Sequence, residues 1–147
     1  MLEQYWPILL AALVGFAITT QASFNTLLSR HIGSAEMGFA IHLVGITLIL
    51  IVLLLGFGRG DWSKWSQAPW YAYLGGALGV FIVLSIPFVL TKIGTSVGFA
   101  AILAAQLVMA AVVDQWGLFG FASNPITPTR AIGLLLLIAG VILASRQ

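Results

Sequence analysis

Polar and charged residues interrupt this chain only at long intervals, and the apolar runs between them are about as long as a bilayer is thick. Charges and helix breakers leave five such runs, approximately residues 6–28, 37–57, 70–91, 95–116 and 129–145. A helix that crosses the hydrocarbon core needs about 20 mostly apolar residues. The pattern therefore predicts an all-α integral membrane protein, with five transmembrane helices in one domain covering residues 1–147.

The connecting segments predict how these helices follow one another. The links between helices 1 and 2 and between helices 3 and 4 are short, which favours antiparallel neighbours. The segment "GLFGFASNPITPT" before helix 5 contains two glycines and two prolines, so we expect an interfacial loop there. Five crossings would put the termini on opposite sides. We name the side of the N-terminus side A and the other side B.

The composition excludes most other classes of protein. Charged residues make up 7% of the chain and apolar residues 61%, whereas soluble domains carry about 25% charged residues. A net charge of +2 is too small to indicate a nucleic-acid partner. The chain has no cysteine, no cluster with metal-ligand spacing and no nucleophile beside a base, so we expect neither an enzyme nor a cofactor or metal site.

The basic residues are balanced between the two predicted sides. Side A receives Arg59, Lys64 and Arg130, and side B receives Arg30, Lys92 and Arg146. Orientation in the membrane normally follows a Lys/Arg excess in the short cytoplasmic loops. One dominant loop would still give a fixed orientation, but the equal numbers favour a chain that inserts both ways.

Aromatic residues are distributed unevenly along the same axis. Every tryptophan and tyrosine falls at a side A end of the predicted helices. Membrane proteins usually carry such residues at both interfaces. Two chains of opposite orientation would together supply both aromatic belts.

Three primary amides lie within the apolar runs. Gln21 and Asn25 are four residues apart on one face of helix 1, and Gln106 falls near the middle of helix 4. An unsatisfied polar group in hydrocarbon costs several kcal/mol. Each amide singly would more often join two helices, for about 0.6 kcal/mol. As a set they favour a substrate cavity near the membrane midplane, where transporters of inverted repeats bind their solutes.

Three further residues have a structural and a functional interpretation. His42, about one and a half turns inside helix 2, is either a proton carrier lining the cavity or a neutral imidazole bonded to Asn25 or a backbone carbonyl. Asp114, near the end of helix 4, is expected to anchor the next loop or to pair with Arg130. Pro87 predicts a kink in helix 3.

Small residues spaced four apart mark surfaces where helix backbones approach closely. The pairs are Gly75 with Gly79 in helix 3 and Gly140 with Ala144 in helix 5, and helix 4 carries alanines at the same spacing.

Four segments resemble the YdcZ-like family, a five-helix branch of the drug/metabolite transporter superfamily. They are "GFAITTQASFNTLLSR", "PWYAYLGGALGVFIVLSIPF", "AAQLVMAAVVDQWGLFGF" and "PTRAIGLLLLIAGVIL", and together they extend over nearly the whole chain. The sequence "AIHLVG" departs from the family near Ile41–His42, where the resemblance implies a small polar and an aromatic residue.

The resemblance implies that the chain is one inverted-repeat unit of a small-molecule transporter in the bacterial cytoplasmic (inner) membrane. Larger relatives carry ten helices as two inverted halves, and a five-helix member would pair with a second copy in the opposite orientation. The last helix would then contribute to the dimer contact. Alternating access between the two copies is the implied mechanism.

The residues also limit the kind of solute. The acids are Glu3, Glu36, Asp61 and Asp114, and none lies at mid-depth in a predicted span. The proton-coupled cation export of the small multidrug-resistance relatives uses an acid in helix 1, so we do not carry it over. Neutral amides suit a neutral, zwitterionic or anionic solute.

Two alternatives remain at this stage. Besides the homodimeric transporter, the sequence is compatible with an accessory membrane subunit that has no solute of its own. It is also compatible with one half of a heterodimeric transporter whose two chains have fixed, opposite orientations. A narrow channel is a weaker possibility, since the sequence has no ring of charges.

Overall fold

The protein is described by a computed structural model that covers the backbone of residues 2–146 and the side chains of residues 5–146. Every regular element in that range is helical. The long helices are α1 (Leu2–Ile32), α2 (Ser34–Leu54), α3 (Leu74–Ile93), α4 (Thr95–Trp116) and α5 (Pro128–Ala144). Short 3₁₀ segments occur at Trp62–Gln67, Trp70–Tyr73 and Leu118–Gly120.

Four of these helices are long and apolar enough to cross a membrane. The spans are Tyr5–Ile32, Ser34–Leu54, Trp70–Ile93 and Thr95–Trp116. The apolar helix α5 is shorter, with 17 residues. The prediction of an all-helical integral membrane protein is confirmed, whereas the fifth crossing stays a prediction.

The chain forms two compact units, residues 1–88 and residues 89–147, which we call the first and the second unit. Their boundary lies inside α3, directly after the sequence Pro87-Phe88. The first unit thus contains α1, α2 and most of α3. The second contains the end of α3 with α4 and α5.

A single glycine connects the helices at two places. Gly33 joins α1 to α2 with φ 96° and ψ 157°, and Gly94 joins α3 to α4 with φ 81° and ψ 159°. This backbone region is essentially restricted to glycine, because a Cβ atom would collide with the chain. The Gly33 N–H donates to the Ser29 carbonyl at 3.0 Å, and its own carbonyl accepts from the Met37 N–H at 3.0 Å. Both helices therefore keep their hydrogen bonds up to the turn.

The second turn repeats the first in sequence and in hydrogen bonding. The sequences are "HIGSA" at residues 31–35 and "KIGTS" at residues 92–96. The Gly94 N–H donates to the Leu90 carbonyl at 3.1 Å, and its carbonyl accepts from the Gly98 N–H at 3.0 Å. Each turn follows a basic residue that closes the preceding helix. The apolar pattern, which predicts helix 1 only to about residue 28, does not predict this repeated turn of one residue.

These turns explain where the helix bounds differ from those predicted. Helix 1 was expected to end near residue 28, but it continues to Ile32 because the turn needs only Gly33. Helix 2 was expected at 37–57 and instead begins at Ser34 and ends at Leu54. Its last turn closes through the Gly56 N–H on the Leu53 carbonyl and the Phe57 N–H on the Val52 carbonyl, a Schellman arrangement.

In the first unit, α1 and α2 pack together near their connecting turn. Ala22, Asn25 and Thr26 are buried on α1, and Met37 and Gly38 are buried on α2. Met37 is 0% exposed. Most residues farther from the turn are exposed on both helices, as expected for side chains that face lipid.

In the second unit, α4 packs against α5, and the buried residues of α4 are all small. Ala104 and Ala111, seven residues apart, are the buried alanines of α4. Leu90 and Gly98 are buried on either side of the Gly94 turn. In lipid, close backbone packing of this kind replaces the hydrophobic effect as the force that joins helices.

Candidate functional site

The hydroxyl groups in the polar part of α1 form their hydrogen bonds with the backbone of the same helix. Thr19, Thr20 and Ser23 donate to the backbone carbonyls four residues earlier, at 3.1, 2.9 and 2.8 Å. The buried Thr26 hydroxyl does the same to the Ala22 carbonyl at 2.7 Å. These hydroxyls therefore need no partner outside their own helix.

The amides of the same helix behave differently. Asn25 is 8% exposed, beside the contact with α2. Gln21 lies one turn earlier and is exposed. Among residues 5–146, neither side chain has a hydrogen-bond partner, so the structure gives no sign that these amides join α1 to another helix of this chain.

Gln106 shows the same property on α4. It is exposed, and the described part of the chain offers its amide no hydrogen bond. It lies within about 1 Å of the middle of the Thr95–Trp116 span, and Gln21 lies roughly 4 Å from the middle of Tyr5–Ile32, taking 1.5 Å per residue. Amides at that depth need protein or water to bond to.

His42 is fixed by its own helix. Its Nδ1 lies 2.7 Å from the Gly38 carbonyl oxygen, an acceptor, so Nδ1 carries a proton. Of the partners expected for a neutral imidazole, a backbone carbonyl is therefore the one observed. In the neutral ring, Nε2 is then an acceptor. Because α2 starts at Ser34, His42 lies about 3 Å from the middle of its span, deeper than one and a half turns from the end.

The candidate cavity residues belong to different units. Gln21, Asn25 and His42 are in the first unit, and Gln106 is in the second. Their convergence on one cavity stays a prediction.

Asp114 closes the end of α4 in two ways. Its carboxylate pairs with the Arg130 guanidinium at 2.5 Å, with 32% and 34% of the two side chains exposed. Its backbone carbonyl accepts from the Asn124 N–H at 2.7 Å. Pairing with Arg130 and anchoring of the loop, given as alternatives from the sequence, occur together.

The neighbouring Gln115 was not singled out from the sequence. Its Oε1 accepts from the Ile126 N–H at 2.8 Å, and its backbone carbonyl accepts from the Ser123 hydroxyl at 3.1 Å. Thr127 then caps α5 by accepting from the Arg130 N–H at 3.3 Å. In the sequence, the signal for these loop contacts is the helix end Asp-Gln-Trp-Gly, which is followed by a loop with two prolines.

The small residues assigned to helix packing have free space around them. A Cβ atom added at Gly75, Gly79 or Gly140 would meet no described atom within 4 Å. Ala144 is exposed as well, whereas Pro87 is buried inside α3. The expected packing of Gly75 and Gly79 inside the protomer is thus not seen within the described residues, and the space leaves room for a neighbouring chain.

The described residues contain no group of three or more His, Asp or Glu side chains that could hold a metal ion. The charged residues of the spans, Arg30, Glu36, Lys92 and Asp114, lie within three residues of a span end, and the polar side chains nearer the middle are amides, hydroxyls and the His42 imidazole.

Comparison with known protein families identifies the family of this chain. A family model described as "Putative inner membrane exporter, YdcZ" matches residues 6–143. The chain belongs to this family. Membership makes it an integral protein of the inner membrane and places it among transporters rather than enzymes, in agreement with the resemblance noted from the sequence. Searches of the curated proteins and of the solved structures found no match.

Proposed function

We propose that this YdcZ-family chain is one five-helix repeat of a small-molecule transporter that works as an antiparallel, dual-topology homodimer. The observation that carries the proposal is the set of amides on Gln21, Asn25 and Gln106, which lie in membrane spans without a hydrogen-bond partner in the described chain. A second copy and the hydrated cavity between the copies would satisfy them.

The proposal needs α5 to cross the membrane. Its 17 residues are about 26 Å long at 1.5 Å per residue, the lower limit for a span. Arg130 and Arg146 flank the helix, and their long side chains can reach the interface on either side. A fifth crossing would put the termini on opposite sides.

Opposite orientation of the two copies is supported by charge and by aromatic residues. Three Lys/Arg residues fall on each side of a five-span chain, so no strong bias would fix its orientation. The Trp and Tyr residues gather at one side. Only an antiparallel pair would give both interfaces an aromatic belt.

The proposed site lies near mid-depth, where Gln21 and Gln106 of the two copies, with His42, would surround the solute, and Asn25 would line it about one turn farther toward side B. Alternating access would follow from the twofold axis in the membrane plane, because the copies exchange conformations when the cavity changes sides. The acids whose side chains are described lie in the first turn of α2, in a loop and at the end of α4. A neutral, zwitterionic or anionic solute therefore fits better than a lone cation.

The cavity can be tested by cysteine accessibility, since the natural chain has no cysteine. Gln106→Cys should react with a charged, water-soluble thiol reagent in membranes. Val108→Cys is the matched control, because Val108 is 43% exposed, two residues away, and on the opposite side of α4. Labelling at 106 but not at 108 supports a hydrated cavity. Equal labelling, or none at 106, contradicts it.

A second measurement separates the transporter from an accessory subunit. Purified wild-type chain should gain thermal stability from a solute of its own in a metabolite screen, and Gln21→Ala should reduce that gain. Constant co-purification with another membrane protein, without any such gain, would favour the accessory role.

A further inference from the structure

The loop between α2 and α3 forms a cavity that the transport proposal does not use. It has a volume of about 250 Å³ and is lined by Leu53, Gly58, Gly60, Asp61, Trp62 and Trp65. We call the last three residues the aromatic cradle. The aromatic cradle lies between the end of the Ser34–Leu54 span and the start of the Trp70–Ile93 span. This position is typical of the membrane interface.

The sequence folds this loop back over the end of α2. After the Schellman turn, Gly58 comes so near to Leu53 that an added Cβ atom would lie 2.7 Å from Leu53 Cδ2. Asp61 then caps the 3₁₀ segment Trp62–Gln67, accepting from the Ser63 N–H at 3.0 Å and the Ser63 hydroxyl at 2.6 Å. Leu53 thereby becomes an apolar wall of the cavity.

The two indole rings are held in a fixed arrangement. Trp62 and Trp65 stack with ring centroids 5.7 Å apart and planes 16° from parallel. Tyr73 packs on Trp65 at 5.1 Å, and its hydroxyl donates to the Trp65 carbonyl. Both tryptophans are nevertheless more than half exposed. Such rings present negative π faces on which a cation can rest.

Asp61 supplies a negative charge beside these rings. The Ser63 hydroxyl, and then its backbone N–H, hold the pKa of Asp61 below its ordinary value of 3.8, so the carboxylate is ionised at neutral pH. Ser63 occupies only Oδ1. Oδ2 faces the Lys64 ammonium at 3.8 Å, an exposed pair that contributes little binding energy. Oδ2 is therefore available to a further donor.

Positive charge lies on the same loop. Lys64 is beside the carboxylate, and Arg59 precedes Asp61 by two residues. The loop thus presents one carboxylate beside two stacked indoles, together with two basic side chains. A group that carries an ammonium and a phosphate on a short linker complements this pattern.

We propose that the aromatic cradle binds the ammonium of an ethanolamine-type phospholipid headgroup, with the lipid phosphate toward Lys64. The ammonium would donate to Asp61 Oδ2 and lie against the outer indole face of Trp62, which Trp65 supports from behind. Acyl chains would continue from the interface along the exposed apolar surface of α2. The partner is thus a membrane lipid and not the transported solute.

The test is native mass spectrometry of the purified full chain with phosphatidylethanolamine and phosphatidylglycerol, which differ in the ammonium. Wild type should retain phosphatidylethanolamine preferentially. Asp61→Asn keeps a good cap but removes the charge, and Trp62→Leu removes one ring. Each should lower phosphatidylethanolamine retention by about fivefold or more. Trp70→Leu is the control, because Trp70 is equally aromatic and 74% exposed but lies outside the cavity.

Equal retention of the two lipids by wild type would overturn the proposal, as would unchanged retention in both Asp61→Asn and Trp62→Leu. A loss in Trp70→Leu as large as in Trp62→Leu would also overturn it, since that outcome indicates a general aromatic belt. Soluble phosphoethanolamine should compete poorly. Full displacement at equal concentration would assign the site to a soluble amine and contradict the lipid assignment.

Discussion

The single-glycine turns give a sharp prediction for Gly94→Ala. The backbone at Gly94, φ 81° and ψ 159°, lies in a region that costs about 1–3 kcal/mol for other residues. No atom within 4 Å would meet the new methyl group. The whole loss therefore comes from backbone strain, and it should be local to the joint between α3 and α4.

Hydrogen exchange of the purified chain, followed by mass spectrometry, measures this loss of local stability directly. Opening of the turn exposes the Gly98 N–H, which is bonded to the Gly94 carbonyl at 3.0 Å. A strain of about 1–3 kcal/mol should speed exchange in a peptide covering residues 90–98 by roughly 5- to 150-fold.

Two further variants control this result. Gly45→Ala also places its methyl group in open space, but inside α2, where alanine is favoured over glycine by about 0.5–1 kcal/mol, so exchange there should slow. In Gly33→Ala the methyl group would also meet the Glu36 carboxylate. Since the Glu36 side chain is flexible and can move away, adding Glu36→Ala to Gly33→Ala should restore little of the lost protection from exchange. Exchange in Gly94→Ala within about twofold of wild type would refute the reasoning.

Three other predictions concern separate parts of the chain. Arg130→Gln should lower the free energy of unfolding by about 0.5–1 kcal/mol, since its ion pair with Asp114 is one-third exposed; a double-mutant cycle with Asp114→Asn measures the coupling, and coupling near zero contradicts it. Ala111→Leu should cost about 1–3 kcal/mol through overpacking at a buried position of α4, while Ala105→Leu, on the exposed surface of α4, should cost much less in the same unfolding assay; equal losses would argue against close packing at Ala111. Folding lowers the pKa of Asp61 below 3.8. The stabilisation that the ionised carboxylate gives to the loop is therefore present above pH 3.8 and is lost as the pH falls through the pKa of the folded state. Acid should accordingly alter the fluorescence of Trp62 and Trp65 in wild type but not in Asp61→Asn.

The apolar pattern predicted the helices well because membrane spans are set by length and hydropathy. Helix 4 was expected at 95–116 and is observed at Thr95–Trp116. The connections were less predictable. A glycine next to a serine or threonine reads as a loop, yet at Gly33 and Gly94 it makes a joint of one residue because backbone hydrogen bonds continue on both sides.

The candidate site was predictable in its residue types but not in its geometry. Amides within a long apolar run identified Gln21, Asn25 and Gln106, since polar groups in lipid are costly. The sequence could not tell that none of them would find a partner within the described chain. His42 illustrates the reverse case, because its bond to the Gly38 carbonyl depends only on helical spacing. The cradle at Asp61 required the turn after α2, which hydropathy does not encode.

The most direct test of the antiparallel homodimer is the orientation of its C-terminus. A single Ser145→Cys substitution at the exposed end of α5 should react with a membrane-impermeant thiol reagent from outside intact spheroplasts in about half of the chains, since the balanced charges give no strong bias. The other half should react only after permeabilisation. Labelling of nearly all chains from one side would contradict the account.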